Sequence, residues 1–169
     1  MAKSLPVYQP PVGFYYTVEI LEDNRKTSTP MDTSFQEVSG ITVTMGTETI
    51  AEGGVNRYVH KVPGRTTYED LVLKRGLLTQ GSHLAIWCQE TLMGNLNEPI
   101  KPKTVVVSLL DASQRSQHES KAKPIMIWRF TNAYPVKWEV SGFDAKVSQL
   151  MVESITLTYS YFNLQPAPR

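Results

Sequence analysis

The sequence predicts a mainly β chain, an antiparallel β-sandwich or barrel of about seven or eight strands with one helix packed on it. Three observations carry this. Near the start, Phe14, Tyr16, Val18 and Ile20 alternate with Tyr15, Thr17 and Glu19, which is a strand period. Near the end, Ile155, Leu157, Tyr159 and Tyr161 share one face, with Ser154, Thr156, Thr158 and Ser160 on the other. Only one stretch has helical spacing, where Leu84, Trp87, Cys88, Thr91 and Leu92 form a mostly apolar stripe.

The elements follow in order. Residues 1–11, with Pro6, Pro10 and Pro11, read as an extended arm ahead of a single domain, and residues 163–169 as a C-terminal tail. Residues 12–21 are the first strand, and Asp23 to Pro30 a polar turn region. Residues 34–45 are a second strand. There Ile41, Val43 and Met45 share a face, and a bulge near Ser39 and Gly40 reconciles the parity of Phe35 and Val38. Residues 46–56 have little apolar pattern and read as a long loop. Arg57–Val62 and Tyr68–Lys74 are strands separated by a turn at Pro63-Gly64-Arg65. The helix spans 83–93, with Ser82 capping its first turn and Gly94 ending it. Val105, Val107 and Leu109 mark another strand, and residues 112–123 a polar loop. Ile125–Phe130 and Val136–Val140 are strands around Asn132-Ala133-Tyr134-Pro135.

Composition excludes several functions. The 17 basic and 16 acidic side chains leave a formal net charge of +1, which is no footprint for nucleic acid or an anionic membrane. Cys88 is the only cysteine, so no intrachain disulfide and no multi-cysteine metal site can form. The N-terminus has no apolar segment of a secretory signal, and no apolar run is long enough to span a bilayer, so no membrane anchor is expected.

Catalytic patterns are missing too. His60, His83 and His118 fall at no metal-ligand spacing, and Cys88 sits on the apolar helix face, where a thiol is inert. The glycines form no phosphate-binding motif, and Asp111 and Glu119 are isolated carboxylates. Trp128, Phe130, Tyr134 and Trp138 alternate with Arg129 and Lys137. That pattern suits a base-stacking platform or, better for a charge-balanced β protein, a core or interface face. No enzyme activity and no cofactor are expected. Exposed strand edges must be blunted or used, which points to assembly.

A specific resemblance appears in the middle of the chain. Ser34-Phe35-Gln36-Glu37-Val38-Ser39-Gly40-Ile41 is followed by Glu52-Gly53-Gly54 and Lys61-Val62-Pro63-Gly64-Arg65-Thr66-Thr67-Tyr68. Leu71-Val72-Leu73-Lys74-Arg75-Gly76 comes next, then the helix with Trp87. Trp128 through Trp138 and Val152-Glu153-Ser154-Ile155-Thr156-Leu157 close the series. In this order, from about residue 12 to residue 162, they resemble the phage tail-tube family, which includes tubes of contractile phages, R-type bacteriocins and extracellular injection systems. The polar loop at 112–123 and the ending Tyr159-Ser160-Tyr161-Phe162-Asn163 depart from the family pattern.

The resemblance implies a mechanical part: an inner-tube subunit forming stacked hexameric rings around a channel inside a sheath. The implied partners are further copies of the chain, a sheath protein, baseplate and tube-terminator proteins, and cargo effectors or DNA in the channel. Assembly would occur in the bacterial cytoplasm, with the product residing in a phage tail or an extracellular particle. Alternatives are a tube-initiator paralogue at the baseplate and, from another class, a small β-barrel binding module. Residues 46–64 are expected to be an assembly loop, with Gly46, Glu48, Glu52, Gly53 and Gly54 leading to Arg57 and Lys61. Ser154, Thr156, Thr158 and Ser160 either line the bore or form an ordinary solvated face.

Overall fold

A computed structural model describes residues 14–21, 32–54, 57–77, 82–94, 99–111, 124–141 and 151–166. The strands are β1 (Phe14–Leu21), β2 (Asp32–Ser39), β3 (Val43–Ile50), β4 (His60–Tyr68), β5 (Leu71–Gly76), β6 (Lys103–Asp111), β7 (Pro124–Val140), β8 (Val152–Thr158) and β9 (Tyr161–Pro166); the helix α1 is His83–Met93. The arm at 1–11, the turn region at 23–30 and the loop at 112–123 lie outside the described residues.

Every pairing is antiparallel, and the main sheet runs β6-β1-β2-β5-β8-β7-β9. A further pairing of β6 with β7 closes it into a barrel, with β9 added outside the closure. The mainly β fold, with a single helix among the described residues, is therefore as expected, and the barrel is the form it takes.

The alternating residues do what their period predicts. Val18 and Ile20 of β1, Leu71 and Leu73 of β5, Val105 and Val107 of β6, and Ile155 and Leu157 of β8 are buried together. At about 1.5–3 kcal/mol for each large side chain removed from water, this cluster is the main favourable term. Leu84, Trp87 and Cys88 of α1 join it. Ser82 caps the helix, its Oγ accepting from the N–H of Ala85 at 3.0 Å. Gly94 ends the helix as expected but stays at φ −71°, so no left-handed cap forms. Leu92 is exposed, so the apolar stripe buries only its first two turns. Cys88 being fully buried, a maleimide reagent should label it only on unfolding; labelling of native protein at the rate of a free thiol would contradict this packing.

Three expectations need correction. The strand expected over 34–45 ends at Ser39, where Gly40 turns the chain at φ +80° instead of bulging it, and residues 43–50 form a second strand that runs into the loop expected at 46–56; β3 pairs with β4 as a separate two-stranded hairpin. Pro63-Gly64-Arg65 is not a turn but lies within β4. The register slips there, between Met45↔Thr66 and Thr47↔Pro63. Proline is tolerated at such a bulge, and a side chain on Gly64 would meet the backbone of Gly46 at 3.2 Å.

The third correction concerns β7, one strand of 17 residues where two were expected. Asn132 sits at φ 56°, a conformation asparagine tolerates better than most residues, and kinks the strand without ending it. The first half of β7 pairs with β6 and β9, the second with β8. The presumed final strand is correspondingly two. β8 ends at Thr158 and β9 takes in Asn163–Pro166, part of the stretch read as a tail. The turn between them sits at the kink: Ser160 N–H donates to the Thr131 carbonyl at 3.0 Å, and Asn132 Nδ2 to Ser160 Oγ at 3.3 Å.

Candidate functional site

Two surfaces gather the residues singled out in the sequence. The first is the hairpin. Gly46 and Glu48 lie in β3, Glu52, Gly53 and Gly54 near its tip, Arg57 just before β4, and Lys61 in β4 opposite Thr49. All are exposed. Its strand character comes from threonine, at 44, 47, 49, 66 and 67, whose branched side chains favour extended backbone. At the tip, Gly54 takes φ +89°. Nearby, Glu52 Oε1 lies 3.4 Å from His60 Nε2, and the Tyr58 ring meets His60 edge-on at 5.2 Å.

The hairpin carries apolar side chains that are about half exposed. Val43, Met45, Ile50, Tyr58 and Val59 are exposed by 48% (Val59) to 60% (Met45). Exposed apolar patches of this kind mark interaction surfaces. Its base, by contrast, is fastened. Tyr68 packs on Tyr159 and Phe162 with ring centroids 5.9 and 5.7 Å away. Burial, then the charge of Asp70, pushes the Tyr159 phenol up to about 12. Gly40 turns the chain from β2 towards β3 at φ +80°.

The second surface is the outward face of β2, β5, β8 and β7. Inward, the registers align Val38, Leu73, Ile155 and Trp138 in one row and Phe35, Arg75 and Glu153 in the next. Outward, they align Glu37, Lys74, Ser154 and Glu139, and beside them Ser39, Val72, Thr156 and Lys137. Thr158 continues the β8 column opposite Tyr134. Ser154, Thr156 and Thr158 therefore share one face as expected. Ser160 does not join them, because it is held in the β8–β9 turn.

Sequence reasoning missed a buried polar cluster behind this face. Arg75 and Glu153 are each 1% exposed, and Arg75 Nε donates to Glu153 Oε2 at 2.7 Å. Trp138 Nε1 donates to Glu153 Oε1 at 2.8 Å, and Arg75 Nη2 donates to Ser82 Oγ. The guanidinium also lies over the Phe35 ring, 5.0 Å from its centroid. One pair of charges thus joins β5, β8, β7 and the cap of α1. The signal was legible in parity: Arg75 falls on the same face as Leu71 and Leu73, and Glu153 on that of Ile155 and Leu157.

The aromatic run of β7 does not form a stacking platform. Phe130 is buried in the core, and Trp128, Tyr134 and Trp138 pack against it. Among the described residues no group of histidine, cysteine and carboxylate side chains could hold a metal ion, and no helix is long and apolar enough to cross a membrane.

A closed barrel, a helix packed on its core by one face and a hairpin outside the main sheet meet a family pattern over nearly the whole chain. Residues 12–163 match the model of the T4-like virus tail tube protein gp19. The chain belongs to that family. Tail-tube proteins are structural components of a tube. The fold agrees. A chain of the anti-feeding prophage baseplate structure, 6-fold symmetrised, is similar with a TM-score of 0.76 at 24% identity, over 94% of this chain and 97% of that one. A chain of an extracellular contractile injection system, in the PVC sheath-tube complex, gives 0.68 at 22%, over 95% and 94%. Hcp1 from Flavobacterium johnsoniae gives 0.51 at 16%, over 90% and 95%. No curated protein sequence matches significantly.

Proposed function

We propose that this tail-tube protein is the inner-tube subunit of a contractile, phage-tail-like injection machine. Its copies close into hexameric rings, the rings stack around a channel, and a sheath drives the tube through a target envelope. It works mechanically, and its partners are its own copies first, then sheath, baseplate and terminator proteins. Assembly takes place in the bacterial cytoplasm, ahead of residence in a phage tail or an extracellular particle.

The observation that carries the reading is the β3–β4 hairpin. It leaves the barrel with five large apolar side chains uncovered, and a second copy of the chain is the surface that would cover them. Gly46, Glu48, Glu52, Gly53, Gly54, Arg57 and Lys61 belong to this contact between copies. The hydroxyl face of Ser154, Thr156 and Thr158 then turns to the water of the bore, where a polar wall suits it.

Register gives the test. Glu48 and Val62 are cross-strand partners, so a two-residue Asn-Gly turn can join them and remove the hairpin tip without disturbing its base. Negative-stain images of the intact protein should show rings and tubes; the shortened variant should fold and lose tubes. Tubes of normal length from that variant, or an intact protein that stays monomeric at every concentration, would overturn the proposal. Copy number in purified particles separates a main tube subunit, present in many rings, from a tube-initiator at the baseplate.

A further inference from the structure

We infer that β9 of one copy takes β3 of another copy as its next strand, so that main-chain hydrogen bonds run from the barrel of one subunit into the hairpin of its neighbour. The inference rests on the reading that the hairpin is the contact between copies, and it names the surface that receives it.

β9 differs from the rest of the main sheet. Every other strand there has at least two neighbours, whereas β9 has β7 alone among the described residues. Edge strands are ordinarily blunted by charge or by proline. From Tyr161 to Gln165 β9 has neither, and only its last residue, Pro166, is a proline. Leu164, two residues on from the core-packed Phe162, shares its face and is 54% exposed. A row of amide and carbonyl groups thus lies open beside an uncovered apolar side chain.

The hairpin offers one matching edge. β3 and β4 each pair only with the other. β4 is a poor donor, because Pro63 lacks an N–H and the register slips beside it. β3 runs for eight residues without proline. Its alternation sets Val43 and Met45 on the face of Tyr68, with Thr44 and Thr67 on the other. Within one chain it is β4 that approaches β9, through Tyr68 on the Phe162 ring at 5.7 Å, and no residue of β3 pairs there.

Between copies, pairing of β3 with β9 brings Val43 and Met45 beside Leu164, covering three side chains that are each more than half exposed. In such strand addition the backbone bonds give the hold and alternate side chains choose the face. A one-residue slip would bring up Thr44 instead and return the apolar pair to water. The two strands are different surfaces of the same chain, so the contact is head-to-tail and passes from copy to copy, as a ring or a tube requires.

The test mixes Leu164→Cys chains with Met45→Cys chains, assembles them and oxidises them. Cys88 is fully buried and stays out of the reaction. A disulfide-linked dimer should form about tenfold more than in either variant alone, or than with Thr44→Cys as the second chain, since a disulfide needs side chains that point together. Val43→Cys covers a register two residues away. Leu164→Lys, which places a charge on the edge, should fold and lose tubes. No cross-copy disulfide from either Met45→Cys or Val43→Cys, an equal yield from Thr44→Cys, or normal tubes of Leu164→Lys would overturn the inference. Tubes from the shortened hairpin would remove the hairpin reading and the inference together. Loss of those tubes without a link to β9 would remove the inference alone.

Discussion

Glu153→Ala should lower the stability of the chain by about 3–5 kcal/mol, the cost of leaving one partner of a buried ion pair without the other. The carboxylate accepts from Arg75 at 2.7 Å and from Trp138 at 2.8 Å, in a site where both charged residues are 1% exposed. Its removal leaves the buried guanidinium charge without the carboxylate that balances it. It also frees the Trp138 N–H and loosens the hold of Arg75 on Ser82, the cap of α1. A domain of this size has about 5–15 kcal/mol in total, so the variant is expected to be partly unfolded at body temperature.

Two companions sharpen the argument. Glu153→Gln keeps an acceptor for Trp138 and should lose less. A double replacement, Arg75→Met with Glu153→Leu, removes both desolvation costs and should recover much of the stability of either single change. Urea unfolding followed by tryptophan fluorescence reads all three. A loss below about 1 kcal/mol for Glu153→Ala would show that the pair is not the lock described here.

Gly40→Ala is the second large effect, expected to cost about 2 kcal/mol or more. The left-handed backbone alone costs an alanine about 1–2 kcal/mol. Gly40 has φ +80°, and an added Cβ would lie 1.8 Å from the carbonyl oxygen of Asp70. That obstacle is backbone, so it can be relieved only by parting the hairpin base from the start of β5. Gly54→Ala, at φ +89° in open space, should show the backbone cost alone. Gly53→Ala meets nothing within 4 Å and should change stability by less than about 0.5 kcal/mol. The graded order is the prediction, read from the same urea curves. Equal stability of Gly40→Ala and Gly53→Ala would break it.

The barrel was legible because one-sided burial writes a period of two into the sequence. β1, β5, β6 and β8 each have an inward face of valine, leucine or isoleucine and an outward face of mixed character. The single helix was legible for the same reason at another period. The hairpin was legible only in part: Val43 and Met45 were read as the end of the strand before, but β3 is exposed along all its residues, so no alternation carries it past Met45. Beyond that point only its threonines spoke for a strand. β7 was cut in two because proline and asparagine usually punctuate, whereas here Asn132 takes a kink and Pro135 sits at a slip of register.

The candidate surfaces were half legible. The hydroxyl column of β8 followed from parity, but its neighbours Lys74, Lys137, Glu37 and Glu139 come from three other strands. Only the pairing registers bring them together. Ser160 was misplaced because the alternating pattern runs on through a turn.

Closure of the barrel also sets a schedule for synthesis. Arg75 and Glu153 are 78 residues apart. At about 5–20 residues per second, a ribosome takes on the order of 4–16 s to deliver the carboxylate after the guanidinium. Through that interval β5 waits without β8, its edge unpaired and its arginine still hydrated. Nothing in the first half of the chain can finish the barrel, since β1 also waits for β6. Such distant pairing makes folding slow and places the last commitment after β8 has been made. Nascent chains stalled before β8 would present open strand edges to one another, while a completed chain has exchanged them for a closed ring of strands.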